Sequence, residues 1–240
     1  MTWLTEAKIA HRAYHNEALG IIENSLSAVD AAIAKGYAIE CDVRLCKDGA
    51  VVVFHDATLE RLTEGSGRVV DWTLSDLQTL KLGSSNDTIP TLKEVLQRVD
   101  GKVPLLVEIK TEGDSKVWAQ AVAEVLDDYT GPFAVQSFHP GVLSWFKTFR
   151  SHITRGQLAS FFEGYEGIPF WQKFVLKRFW FNFQSRPHFV HYELSDLPNR
   201  WVQKKKTQGK PTLAFTVTTQ KECDEALHYV DNVVFEGFER

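Results

Sequence analysis

AIECDVRLCKDGAVVVFHD, residues 38–56, decides the fold. A strand points its side chains alternately to two faces. Glu40, Asp42 and Arg44 therefore share one face, and Cys41, Val43 and Leu45 share the other. A charged row of this kind is either a solvated outer surface or the lining of a polar site. Asp48-Gly49 is a hairpin signal, so AVVVFHD (50–56) reads as an extra strand folding back on the first. With Asp48 and Gly49 as the central turn residues, Lys47 faces Ala50 and Asp42 lies across from His55. Opposed side chains have Cβ atoms about 4.5–5.5 Å apart, and Glu40 stands about 7 Å from Asp42 along the strand. Two carboxylates so spaced can converge on one oxygen-preferring cation. A one-residue slip would turn His55 to the opposite face.

Outward from this stretch, short β-rich runs alternate with helical patterns. The runs are KIAHRA (8–13), AIECDVRL (38–45), LLVEIK (105–110), FAVQSF (133–138), TRGQLA (154–159), HFVHYEL (188–194), LAFTV (213–217) and NVVFEG (232–237). Most are followed by a helix. ENSLSAVDAAIAKG places Leu26, Val29 and Ile33 on one face and stops at Gly36, a C-terminal glycine. Thr91 and Glu94 fit a capping box. Strand–helix repetition implies a parallel sheet. Eight units in 240 residues match a (β/α)8 barrel of the TIM type better than the alternative, a doubly wound open sheet. Residues 57–90 form a long excursion with few periodic signals, too small for a second core. The expectation is one domain over 1–240 with 57–90 as a small insertion after the hairpin strand.

LLVEIK repeats the charged pattern, with Glu108 and Lys110 on one face of an apolar strand, and the first run ends in His11-Arg12. Buried charges need partners or a metal. In a barrel the strand ends at the C-terminal face surround one pocket. Glu40, Asp42 and Glu108 would hold a cation, and Arg12 and Lys110 an anion. His11 and His55 can move protons near neutral pH. Singly each of these residues fits a structural ion pair as well. Together they point to cleavage of a phosphate ester.

Bulk properties narrow the class. A net charge of −4 gives no basic field for nucleic acid. Three cysteines without metal-type spacing favour a reducing compartment. The first residues, MTWLTEAKIAHRAYHNE, have no apolar signal region. The expectation is a cytoplasmic protein, its oligomeric state open.

The chain resembles the glycerophosphodiester phosphodiesterase family. AHRA (10–13), ENSL (23–26), residues 39–77, IPTLKEVL (89–96) and VEIK (107–110) carry the resemblance. QSFHP (136–140) and FTV (215–217) extend it more thinly. It implies a TIM-type barrel that releases sn-glycerol 3-phosphate and an alcohol from small glycerophosphodiesters. It also implies His11 and His55 as catalytic residues, and Arg12 and Lys110 at the phosphate. Glu40, Asp42 and Glu108 would be the ligands of one divalent cation, Mg²⁺ or Ca²⁺. Glu23 matches the acid of the family's Glu-Asn pair. Ala13 stands where the family often has Gly, and Phe215 where it often has Trp. Glu236 follows Phe235 where the family usually has Thr-Asp. Phe215 and His139, which follows a strand end, are candidate pocket residues.

Residues 161–201 hold 13 of the chain's 29 aromatics. Over 169–183, Gln172, Lys173, Lys177 and Arg178 group on one side of an expected helix. That helix could make weak contact with a membrane surface, pack its aromatics inward as an outer barrel helix, or form a dimer face. These features also admit a lysophospholipase D-like or other lipid phosphodiester hydrolase. A barrel that only binds phosphorylated ligands would have no use for two proton carriers.

Overall fold

The computed structural model describes residues 2–163 and 169–240. Among them are strands β1 (Ile9–Ala10), β2 (Ala38–Leu45), β3 (Val51–Val53), β4 (Leu105–Ile109), β5 (Phe133–Ser137), β6 (Arg155–Ala159), β7 (Phe189–Glu193), β8 (Thr212–Val217) and β9 (Asn232–Phe235). Their order is β1-β9-β8-β7-β6-β5-β4-β2-β3, and β1 also pairs with β2. Eight strands thus close into a parallel ring with β3 outside it. This is the barrel expected from the strand–helix repeat, not the open sheet. By contacts the chain divides into two units, Ala10–Phe133 and Met1–Ile9 with Ala134–Arg240.

In the unit Ala10–Phe133, every residue of β2 and β4 is buried. The charged face of β2 is therefore the lining of a polar site. The two strands run parallel with Asp42 beside Glu108 and Glu40 beside Leu106. The helix Leu26–Lys35 starts where Ser25 Oγ accepts the Ala28 N–H and ends at Gly36, whose φ of 68° suits glycine. Thr91 and Glu94 form the expected capping box on the helix Leu92–Val99. The first expected strand is shorter than 8–13, because Arg12 and Ala13 turn left-handed at φ 49° and 63°.

The hairpin differs from expectation by one residue. The Cys46 N–H donates to Ala50 O, and the Gly49 N–H to Cys46 O, both at 3.0 Å. Lys47, Asp48 and Gly49 form a three-residue loop with Gly49 at φ 82°. The register is Val43 to Val53, Arg44 to Val52 and Leu45 to Val51. Phe54, not His55, therefore meets Asp42, and its N–H donates to Asp42 O at 2.9 Å. The excursion 57–90 is also better packed than its sequence suggested. Leu59, Leu62, Val69, Leu77, Leu82 and Ile89 bury one another, together with Val52 and Phe54 of the hairpin.

In the other unit, β6 to β9 run parallel in sequence order. Arg155 anchors its neighbourhood, donating to Ser185 O and Arg186 O at 2.9 Å each. The helix expected over 169–183 is broken in two, Phe170–Leu176 and Asn182–Ser185. Between them Phe179 adopts φ 58°, which ends an α-helix. Its ring is buried edge-on against Tyr192, whose hydroxyl donates to Lys177 O. Residues 164–168 of the aromatic segment lie outside the described residues. Among the described residues, no helix is long and apolar enough to cross a membrane.

Gly156 lies opposite Phe189. A Cβ there would come 2.1 Å from the Phe189 ring, which is fully buried and has nowhere to move. Gly156→Ala is expected to destabilise the protein by about 1–3 kcal/mol, and Gly156→Ala with Phe189→Leu to recover part of that. Thermal denaturation of both variants checks this; an unchanged midpoint in the single variant would refute the close approach.

Candidate active site

Five sequence-predicted residues of the unit Ala10–Phe133 meet around three carboxylates. Glu40, Asp42 and Glu108 are buried, and each offers an oxygen within 4.8 Å of the others. Alternation on β2 brings the first two to one face, and the parallel register sets Glu108 beside Asp42. Lys110 Nζ lies 3.0 Å from Asp42 Oδ1 and 2.5 Å from Glu108 Oε1. Arg12 Nε stands 3.7 Å from Asp42 Oδ2, and the Arg12 backbone N–H donates to Glu40 Oε2 at 3.0 Å.

Crowding three acids out of water moves their titration. Burial, then repulsion from Asp42 and Glu108, holds Glu40 well above the usual carboxylate range. Burial also raises Glu108, with Lys110 opposing and Asp42 adding to it. Burial would raise Asp42 too, but Lys110, His55 and Arg12 outweigh it and hold that carboxyl low. For Lys110, burial favours the neutral amine, yet Asp42 and Glu108 prevail and raise its pKa. The cluster thus has too little positive charge for all three carboxylates to ionise freely. An oxygen-only donor set short of positive charge fits a hard divalent cation, better than zinc with its preference for nitrogen and sulfur.

His55 enters the site by a different route from the expected one. β3 ends at Val53 and the chain bends at residues 55–57. Arg44 fixes the bend by donating from Nε and a terminal nitrogen to His55 O at 2.9 and 2.8 Å. His55 Nδ1 lies 2.6 Å from Asp56 Oδ1. Burial, with Lys110 and Arg12, pushes the His55 pKa down from 6.5 to about 4, against the pull of Asp42 and Asp56. The imidazole is therefore neutral at pH 7. The unfolded chain takes up this proton near pH 6.5, so the stability tied to neutral His55 is present above 6.5 and is lost as pH falls towards 4. His11 follows β1 directly and adds to the positive field on Asp42 and Glu108.

Several partners were not singled out in the sequence. Asn24 donates to Asp42 Oδ2 at 3.0 Å and accepts the Asp42 N–H at 3.3 Å. Arg61, in the excursion, pairs with Glu23 at 2.7 Å and with Asp56 at 2.5 Å, and Glu23 also pairs with Arg12 at 2.8 Å. Arg44 pairs with Glu112 at 2.6 Å. The Glu-Asn pair of ENSL was the available signal for Glu23 and Asn24; nothing local in the sequence marks Arg61 or Glu112.

The two candidate pocket residues lie in the other unit. His139 caps the helix Pro140–Phe149, its Nδ1 accepting the Gly141 N–H at 3.1 Å. Phe215 packs edge-on against His191 and Phe138. His191 Nδ1 in turn lies 2.8 Å from Gln136 Oε1, inside the same unit.

Residues 11–235 match the model of the glycerophosphoryl diester phosphodiesterase family. A 139-residue segment is 38% identical to the Bacillus subtilis protein YhdW, by name a candidate glycerophosphodiester phosphodiesterase, covering 54% of this chain and 56% of that one. A 111-residue segment is 39% identical to the glycerophosphodiester phosphodiesterase of Caldanaerobacter subterraneus, covering 43% and 44%. These alignments span about half the length of the curated relatives. Among solved structures, an Oleispira antarctica phosphodiesterase in complex with the product sn-glycerol-3-phosphate superposes with a TM-score of 0.80 at 27% identity. It covers 95% of this chain and 92% of that one.

The left-handed turn at Arg12-Ala13 gives one expected outcome. An alanine at φ 63° costs about 1–2 kcal/mol in a conformation that glycine adopts freely, more than the added freedom of the unfolded chain offsets. Ala13→Gly should therefore stabilise the protein by about 1 kcal/mol. A lowered melting temperature would contradict this.

Proposed function

The chain belongs to the glycerophosphoryl diester phosphodiesterase family, and on that premise we propose that it hydrolyses small glycerophosphodiesters to sn-glycerol 3-phosphate and an alcohol. The observation that carries this reading is the meeting of three buried carboxylates with Arg12, Lys110 and His55 in one unit. Product binding by the Oleispira antarctica relative supports the same substrate class. The reading takes 1–240 as one catalytic domain, with 57–90 as an insertion that supplies Arg61.

A phosphodiester carries a negative charge that repels an incoming nucleophile. Glu40, Asp42 and Glu108 would hold one Mg²⁺ or Ca²⁺, which when bound would neutralise charge on the phosphoryl oxygens. Arg12 and Lys110 lie against this cluster and supply fixed positive charge to the same anion. Lys110 is anchored between Asp42 and Glu108, so little reorganisation is needed as charge develops. His11 and His55 are the proton carriers, one taking a proton from the nucleophile and one returning a proton to the leaving alkoxide. Neutral His55 is able to accept, and its contact with Asp56 fixes the ring and leaves Nε2 for the transfer. Arg61 holds Asp56 from behind.

Each such proton transfer contributes about 10²–10⁴ in rate. His11→Ala and His55→Ala should each lower kcat at least about a hundredfold while circular dichroism is unchanged. The assay is glycerol phosphate release from a panel of glycerophosphodiesters with Mg²⁺, Ca²⁺ or a chelator. Near-normal turnover in either variant removes that histidine from the chemistry. Undiminished turnover under chelation removes the cation, and no release from any diester overturns the reading.

A further inference from the structure

The unit formed by Met1–Ile9 and Ala134–Arg240 carries a surface that hydrolysis does not explain. Residues 170–210 hold nine lysines and arginines against two acids, in a chain whose net charge is −4. Folding gathers much of that excess. Arg178, Arg186, Arg200, Lys204, Lys205 and Lys210 line one cleft of about 970 Å³ together with Trp180, Phe183 and Trp201. Among the described residues no carboxylate lines it. Among the described residues none of these six cations is in an ion pair, whereas nearby Lys206 is, with Asp231 at 3.2 Å. Crowding shows in their titration: burial, then Lys210 and Lys204, lowers the Lys205 pKa, and burial with Arg155 lowers that of Lys210.

The aromatics of the segment point the wrong way for a barrel helix. Phe170, Trp171, Trp180 and Phe183 are 81, 60, 56 and 76% exposed. Phe179, at the left-handed break between the two helices, turns in. The break thus buries one ring as an anchor and leaves its neighbours in solvent. Arg178 lies over the Phe174 ring at 3.3 Å and 5.1 Å from the Trp201 ring, so its planar cation is held at the cleft by stacking. Stacking in place of a carboxylate leaves the charge available to an outside anion.

We infer that this cation-lined, aromatic-rimmed face docks on the surface of an anionic phospholipid bilayer. Unneutralised lysines and arginines are drawn to anionic headgroups. Exposed Trp and Phe enter the headgroup–acyl boundary, where an aromatic ring loses water while polar edges stay wet. A duplex nucleic acid would use the charges but would have no need of four outward aromatics. A second copy of the chain would bring six more cations against these six.

The test is co-sedimentation of the purified full chain with vesicles of phosphatidylcholine alone and of phosphatidylcholine with phosphatidylglycerol. Binding is expected only to the anionic vesicles, falling at least about tenfold between low salt and about 0.5 M salt as the Debye length shortens. Lys204→Glu with Lys205→Glu should abolish it, and Trp171→Ser with Phe183→Ser should weaken it about tenfold or more. Lys204, Trp171 and Phe183 are exposed and Lys205 is half-buried, so circular dichroism is used to check that both variants fold. Failure to bind anionic vesicles at low salt overturns the inference. So does binding that survives the charge reversal, or displacement by millimolar glycerol phosphate, which would mark a soluble-anion site. A dimer in sedimentation velocity that the Trp171→Ser, Phe183→Ser pair dissolves would assign the face to a second copy instead. The readout is partition, independent of turnover.

Discussion

Three carboxylates forced together in a buried place are the constraint from which the rest of the site follows. Unpaired, each would cost several kcal/mol in water lost. Lys110 is shared between Asp42 and Glu108, the Arg12 guanidinium faces Asp42, and the Arg12 backbone N–H faces Glu40. Even so the positive charge is insufficient, and Glu40 and Glu108 stay raised while Asp42 is held low. A site left short of positive charge in this way could hold a cation. A purely structural ion-pair network would have closed its own account.

The second ring of contacts keeps that cluster in shape. Asn24 grips Asp42 through both side chain and backbone. Arg61 reaches in from the excursion to tie Glu23 to Asp56, and Asp56 in turn holds the ring of His55. The excursion can do this because it buries its own apolar cluster against the hairpin and so presents Arg61 from a fixed base. On the other side Arg44 clamps the His55 carbonyl and is itself held by Glu112. Asp56 therefore holds the imidazole of His55, and Glu112, through Arg44, the backbone of the same residue.

Much of the fold was legible because it is periodic. Strand–helix repetition, the capping box at Thr91 and Glu94 and the stop at Gly36 are local signals with local causes. The alternation in AIECDVRL placed Glu40 and Asp42 together, and VEIK added Glu108. What failed was register. Asp48-Gly49 suggested a two-residue turn, but Gly49 takes the left-handed third position of a longer loop, which moves Phe54 opposite Asp42. His55 nevertheless reaches the site because the strand stops before it, and strand parity no longer governs a residue beyond the bend. Arg61 with Glu23, and Arg44 with Glu112, were illegible for another reason. They are 38 and 68 residues apart in the chain, and no local pattern encodes such a pairing. The single helix expected over 169–183 failed on one backbone, since apolar spacing gives no warning that Phe179 will turn left-handed.

Of the four described non-glycine residues that turn left-handed in the unit Ala10–Phe133, Asp100 ends the helix Leu92–Val99 and the other three cluster. Arg12, Ala13 and Asn24 take φ 49°, 63° and 57°. Each makes a contact that an ordinary conformation would not direct the same way. The Arg12 N–H meets the Glu40 carboxylate and the Ala13 N–H meets the Glu40 carbonyl, while the Asn24 N–H returns to Arg12 O. Conformations of this kind cost of order 1–3 kcal/mol each and persist only where the surroundings over-determine them. Here the surroundings include the buried Glu40, whose carboxylate needs donors, and the left-handed turn is the geometry that aims the Arg12 N–H at it. The strain sits where β1 ends, between His11 and the acids, so the same turn that satisfies Glu40 also sets the positions of His11 and Arg12. Backbone shape, carboxylate burial and the placement of His11 and Arg12 are in this way one constraint, met at Arg12 and Ala13.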